Sequence, residues 1–237
     1  MVSLSKHNLC VTSIEPFFRS LSTSLSKCLF EKVHGQILLG FFFGKVVVPT
    51  KNIHVLFLIP YCARTGTENV DLDPGAFNIT FRGKGGLKSR RCDSSSELLC
   101  FDIVPDIVFL QIGENDIAAT TNSKKLAEDI ISITQYLCDG VGVRLVIIGQ
   151  LIRRMQFASC RYFNITVIET NKHLKQLSDP LCSIHYWRHR GFWNDLHYLG
   201  PDGVHLLCTP DEDEPMRTYR RSIRNAVILL SKLIKPV

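Results

Sequence analysis

The chain has 237 residues, of which 45% are hydrophobic and 21% charged, with a formal net charge of +6. That length and balance fit one soluble domain with a sizeable core. Nine Cys without a C-x-x-C pair exclude a regular zinc motif, and their odd number speaks against a complete disulfide framework. Mostly buried thiols in a cytoplasmic protein are the expectation.

Residues 1–52 carry six Lys/Arg against two Asp/Glu, and residues 215–237 carry six Lys/Arg and no acid. The basic excess therefore sits at the two ends. It reads as solvated faces, although basic ends can also meet nucleic acid or anionic membranes. After a Ser-rich segment the chain runs Gln36-Ile37-Leu38-Leu39-Gly40-Phe41-Phe42-Phe43-Gly44-Lys45-Val46-Val47-Val48. This is shorter than the roughly 20 apolar residues of a spanning helix, and Lys45 interrupts it. It lies too far from the amino terminus for a signal sequence. Residues 1–52 are expected to be an extension without a defined fold, with an interfacial anchor as the alternative. A membrane is not among the expected partners.

A regular pattern begins at residue 53. Short β-branched runs at Ile53–Ile59, Ile107–Ile112 and Val143–Ile148 predict buried parallel strands, with further strands at Asn78–Phe81 and Ser183–Trp187. Helices are predicted from Ser123 to Leu137, from about Arg161 to Leu177, and from about Pro215 to Ile234. Strands alternating with helices predict an α/β protein, a parallel sheet of about five strands with helices on both faces. The domain is expected to span residues 53–237.

Two motifs suggest chemistry. Gly113-Glu114-Asn115-Asp116 follows the second of those strands, which would place Asn115 at the sheet's carboxyl edge. Asp202-Gly203-Val204-His205 follows a turn signal. An Asn N–H can stabilise an oxyanion, and an Asp can orient a His that acts as general base. Taken singly, Asn115 reads as a turn residue and His205 as a solvated loop residue. A third element, Phe81-Arg82-Gly83-Lys84-Gly85-Gly86-Leu87, can present backbone N–H groups to an anion, or be a flexible loop. The aromatic-basic cluster Trp187, His189, Arg190, Phe192 and Trp193 reads as core packing plus a rim, with base stacking as its alternative. Arg153 and Arg154 either face substrate or are solvated.

In this order and spacing the motifs resemble the SGNH (GDSL-like) hydrolase family, and more narrowly the SGNH-like domains of retroelement-derived open reading frames. The similarity covers about residues 53–230. It implies a flavodoxin-like three-layer α/β/α sandwich, His205 as base, Asp202 as its orienter, and Asn115 with the Gly86 amide as oxyanion donors. Gly85, Arg153 and Trp187 are candidates for a substrate rim on the reading of the residues themselves. No cofactor and no metal are implied. The family also expects Gly-x-Ser after the first strand and an Arg three residues later. Aligning Arg64 puts Ile59 at the Gly and Tyr61 at the Ser, with Cys62 adjacent but out of register. A phenol of pKa near 10 is a different nucleophile, so the Ser is missing from that register. The implied activity is hydrolysis of a small ester. A catalytically impaired SGNH-fold protein is the alternative. A nucleic-acid-associated accessory module rests on the retroelement association alone. Specificity and oligomeric state are not legible.

Overall fold

The computed structural model describes residues 44–50, 53–83, 88–89, 99, 101–158, 160–193, 196–209 and 213–234. The chain divides into two units, Met1–Gly40 and Phe41–Val237, and every described residue lies in the second. Five strands, β1 (Gly44–Thr50), β2 (Phe77–Gly83), β3 (Ile107–Leu110), β4 (Leu145–Gly149) and β5 (Ile184–Trp187), form one sheet. Among the described residues four α-helices accompany it: α1 (Ile53–Thr65), α2 (Ser123–Gln135), α3 (Phe163–Ser178) and α4 (Glu214–Ser231). All strand pairings are parallel and the order is β2-β1-β3-β4-β5. This is the flavodoxin-like order, whose ligand crevice opens at the carboxyl ends of β1 and β3, where the winding direction reverses.

The three layers follow from the two-residue period of a strand. Ile107, Phe109, Leu145 and Ile147 pack on one face with Leu58 of α1 and with Met216, Tyr219, Ile223 and Val227 of α4. Val108, Leu110, Val146 and Ile148 pack on the other with Leu126 and Ile130 of α2 and Phe163, Val167 and Leu174 of α3. A strand covered on both sides reads as an unbroken apolar run, which is why β3 and β4 stand out in the sequence. Each such side chain stabilises the fold by roughly 1.5–3 kcal/mol. Burial also explains α3. Its Thr166, Val167 and Thr170 are poor helix formers, yet all three face the core. Asn122, not Ser123, caps α2, its side chain accepting a hydrogen bond from the Lys125 amide at 2.9 Å.

One expectation is corrected. Ile53–Ile59 is not the first strand but the start of α1, and the first strand is Gly44–Thr50. It lies within the stretch expected to be an undefined extension. A continuous apolar run carries neither period, so the run alone cannot separate strand from helix. The deciding signal lies just beyond it. Leu58, Tyr61 and Cys62 are buried while Ile59, Pro60, Ala63 and Arg64 are exposed, a helical i, i+3, i+4 face. Gly66, at φ 64°, then ends the helix. Among the described cysteines only Cys62 is buried, and Cys160 and Cys182 are exposed, contrary to the expectation of mostly buried thiols. No helix among the described residues is long and apolar enough to cross a membrane.

Candidate active site

The site is built from loops at the carboxyl ends of the strands. After β3 the chain passes through Gly113, at φ 123°, into a 3-10 turn over Glu114–Asp116. A Cβ on Gly113 would come within 3.0 Å of Ile130 and 3.1 Å of Leu151, so both conformation and space require glycine here. Glu114 turns inward and is buried. Its Oε1 accepts hydrogen bonds from the Ile152 amide (3.0 Å) and the Gln111 side chain (3.1 Å). Burial pushes its carboxyl above the usual carboxylate range, although these bonds and the charge of Arg154 oppose the shift. Glu114 thereby ties the loop after β3 to the loop after β4. Asn115, the next residue of that turn, is half-buried.

Asp116 ties down a second loop. Its carboxylate accepts the Ser89 amide at 2.8 and 3.0 Å and the Ser89 hydroxyl at 2.9 Å. Ser89 is buried and lies three residues beyond Gly86. Gly85 and Gly86, the expected anion-facing glycines, lie outside the described residues. Asp202 and His205 are brought together directly. The Asp202 carboxylate accepts the Val204 and His205 amides, both at 3.0 Å, and its second oxygen bonds His205 Nδ1. Burial is the largest single influence and raises the Asp202 carboxyl, but these bonds and the charge of His205 together outweigh it and hold it at about 2. An anionic Asp202 fixes the proton of a neutral His205 on Nδ1 and turns Nε2 away from the carboxylate. The Met155 amide donates to the Gly203 carbonyl at 2.9 Å, which holds this loop against the segment following β4. The loops bearing Asn115 and His205 are thus joined through residues 150–155 at one edge of the sheet.

Beneath them lies a buried polar chain with one consistent direction. Trp187 Nε1–H donates to Ser222 Oγ (3.0 Å), and the Ser222 hydroxyl donates to His189 Nδ1 (2.9 Å). His189 Nε2–H then meets Gln111 Oε1 (3.3 Å), and the Gln111 amide donates to Glu114 and to the Gln150 carbonyl (2.9 Å). The directions follow from its far end: the Gln150 carbonyl can only accept, so Gln111 turns its amide to that carbonyl and its oxygen to His189, which assigns the Nε2–H tautomer to a neutral His189 and leaves Nδ1 to accept from Ser222. Burial lowers His189 to about 3, so it is neutral. Gln111 lies directly over Gly149, leaving no room for a Cβ there. The sequence reading missed Glu114, Asp116 and this chain. The visible signal was an acid on either side of Asn115 at a strand end, where turn residues are common.

The remaining expected residues are placed as follows. Trp187 is half-buried and bonded to α4. Arg153 Nη2 donates to the Trp193 carbonyl, and its guanidinium lies 5.4 Å from the Trp193 ring centre. His189 and Phe192 belong to the core. Tyr61 does not follow a strand. It sits eleven residues past the end of β1, with its hydroxyl donating to Asp213 at 3.2 Å. Burial and then Asp213 push its phenol up, and burial pushes the Cys62 thiol up. Neither has the lowered pKa of an activated nucleophile. The register that placed Tyr61 at the family Ser rested on the wrong first strand. The residue that ends β1 is Thr50, in register with Gly83 of β2.

No protein-family model matches the chain, and no curated protein matches it. Solved structures do. A protein from Streptococcus pneumonia provisionally described as a platelet activating factor superposes with a TM-score of 0.61 at 13% identity, covering 90% of this chain and 97% of that one. A member of the lipolytic G-D-S-L family from Veillonella parvula gives 0.56 at 18% identity, covering 79% and 98%. A lipase/acylhydrolase from Enterococcus faecalis gives 0.53 at 14% identity, covering 83% and 99%. None of these neighbours bears on the retroelement resemblance.

Proposed function

The chain has the fold of the SGNH (GDSL-like) hydrolases, and we propose that it hydrolyses a carboxylic ester through a threonine nucleophile. The observation that carries this reading is the Asp202–His205 pair, held by Met155 in a loop at the same sheet edge as Asn115. Thr50 stands at the carboxyl end of β1, beside the topological switch point. In this reading Thr50 Oγ1 attacks the ester carbonyl and its proton passes to His205 Nε2. Asn115 donates to the oxyanion. Collapse expels the alcohol, which takes the proton from His205. Water then cleaves the acyl-threonine by the same route in reverse. The extra methyl of Thr crowds the attack, so turnover is expected to be slow.

A second reading is favoured by one observation: no Ser ends β1, and the nearby Tyr61 and Cys62 are buried and poorly nucleophilic. The fold would then bind esters without turning them over. Turnover of 4-nitrophenyl acetate by the wild type and by Thr50→Ala, Thr50→Ser and His205→Ala separates the two. Activity lost in Thr50→Ala and His205→Ala and raised in Thr50→Ser supports the threonine hydrolase. Activity found only in Thr50→Ser supports the impaired site. A folded but inactive Thr50→Ser, or native activity indifferent to Thr50, overturns the assignment. On an active background, Asn115→Ala is expected to cost roughly 10²–10³ in kcat, and Asp202→Asn up to about 10⁴.

A further inference from the structure

Outside the candidate catalytic loops, a groove of about 380 Å³ runs along α3 and the edge strand β5. Lys172 and Lys175 enter it from α3, and Tyr186, Arg188 and Trp193 from β5 and the turn beyond it. Both lysines and Arg188 are exposed, and among the described residues none has a carboxylate within ion-pair distance. Asp179 is the one acid on the wall. Three cations around one concavity repel each other and favour an anion between them. Set against Asp179 the three leave a net charge of +2, so a dianionic oxyanion matches the set better than a monoanion. Tyr186 and Trp193 add flat apolar surface on which the rest of a ligand can lie. The groove also adjoins the candidate site. Trp193 is held by Arg153, which lies two residues before Met155, the residue bonded to the His205 loop. The Trp193 ring has both Arg153 and Arg188 at 5.4 Å, which fixes the two guanidinium groups around one hub.

We propose that this groove binds a phosphate group carried by the substrate, remote from the ester bond that is cleaved. The part of this claim that concerns substrate rests on the ester-hydrolase reading, whereas the anion site stands without it. The test uses the full chain carrying His205→Ala, so that binding is measured without turnover, with phenyl phosphate as the probe. Calorimetry is expected to show one site that weakens as salt rises. Trp193 lines the groove and the chain has only two Trp, so indole fluorescence should change on binding. Lys172→Ala and Lys175→Ala should each weaken the site by roughly two- to fivefold, and Lys172→Glu with Lys175→Glu should abolish it. Asp179→Asn should tighten it, a gain that a folding defect cannot imitate. On the active protein, 4-nitrophenyl esters bearing a phosphate should exceed neutral ones in kcat/KM. That advantage should vanish in the charge-reversed pair while neutral esters are untouched. Phosphate binding indifferent to both lysines and to Asp179 overturns the site. Intact binding with no advantage for phosphorylated esters overturns its role as a substrate subsite. Intact binding with no ester turned over at all leaves the anion site standing and removes the hydrolase reading.

Discussion

At the scale of single residues, the buried titratable groups make opposite statements about pH. His189 is held near 3 by burial, below its ordinary 6.5, so the folded state binds fewer protons than the unfolded one between those values. Stability from this group is full above 6.5 and is lost as pH falls, by on the order of 3 kcal/mol at pH 4. His189→Gln is expected to weaken the fold at pH 7 and to flatten the loss between pH 6.5 and 4 in urea titrations. An unchanged acid slope would remove His189 as its source. Glu114 works the other way. Its folded pKa is raised, so its contribution declines as pH climbs through that value. Glu114→Gln keeps one oxygen to accept from the Ile152 amide and from Gln111, and removes the charge. The stability of the variant relative to wild type should therefore rise from pH 4 to pH 8, whatever its absolute sign. A difference flat with pH would show that the carboxyl titrates normally.

At the scale of elements, what could be read in advance follows from how each element is stabilised. β3 and β4 announce themselves because both faces are covered and every residue is apolar. α2 is legible from Leu126 and Ile130 at helical spacing. β1 and α1 were exchanged because the apolar stretches Val46–Val48 and Ile53–Ile59 lie side by side, and each is too short to carry a period. The error put the expected nucleophile position in the middle of α1, whereas the residue that ends β1 is Thr50. The readings of Asn115, Asp202 and His205 do not depend on it, because each belongs to its own loop and needs no alignment of the first strand. Asp116 could not be recognised as a clamp, since its partner Ser89 lies 27 residues away and only the fold joins them. Its removal is informative for that reason. Asp116→Ala leaves the buried amide and hydroxyl of Ser89 without their acceptor, at a cost of about 1–3 kcal/mol. The amide of Ser89 should exchange faster with solvent, and ester turnover should fall as the loop after β2 loosens. Asp116→Asn retains an oxygen acceptor and should recover most of both. Equal loss in the two variants would mean that the charge of Asp116, rather than its tether to Ser89, is what matters.

At the scale of the whole molecule, the exchange of β1 and α1 decides where the folding unit begins. The sequence pattern starts the domain at residue 53, whereas the sheet contains Gly44–Thr50 and the second unit starts at Phe41. β1 lies between β2 and β3, so it is an inner strand and not an edge. It pairs with β2 through all seven of its residues, and with β3 at Val46 and Val47. A chain starting at residue 53 would leave β2 with no neighbour and β3 with one side of its backbone unpaired. Buried backbone groups without partners each cost on the order of 1–3 kcal/mol, and a domain of this kind has only about 5–15 kcal/mol of net stability. Loss of an inner strand therefore exceeds what the remaining core can offset. A chain starting at residue 41 keeps the strand and every contact of the second unit. We expect the 41–237 protein to unfold cooperatively in urea with a midpoint close to that of the full chain. The 53–237 protein should show a broad, non-cooperative transition or fail to fold. Two cooperative transitions of equal midpoint would place β1 outside the folding unit, and with it Thr50 outside the site.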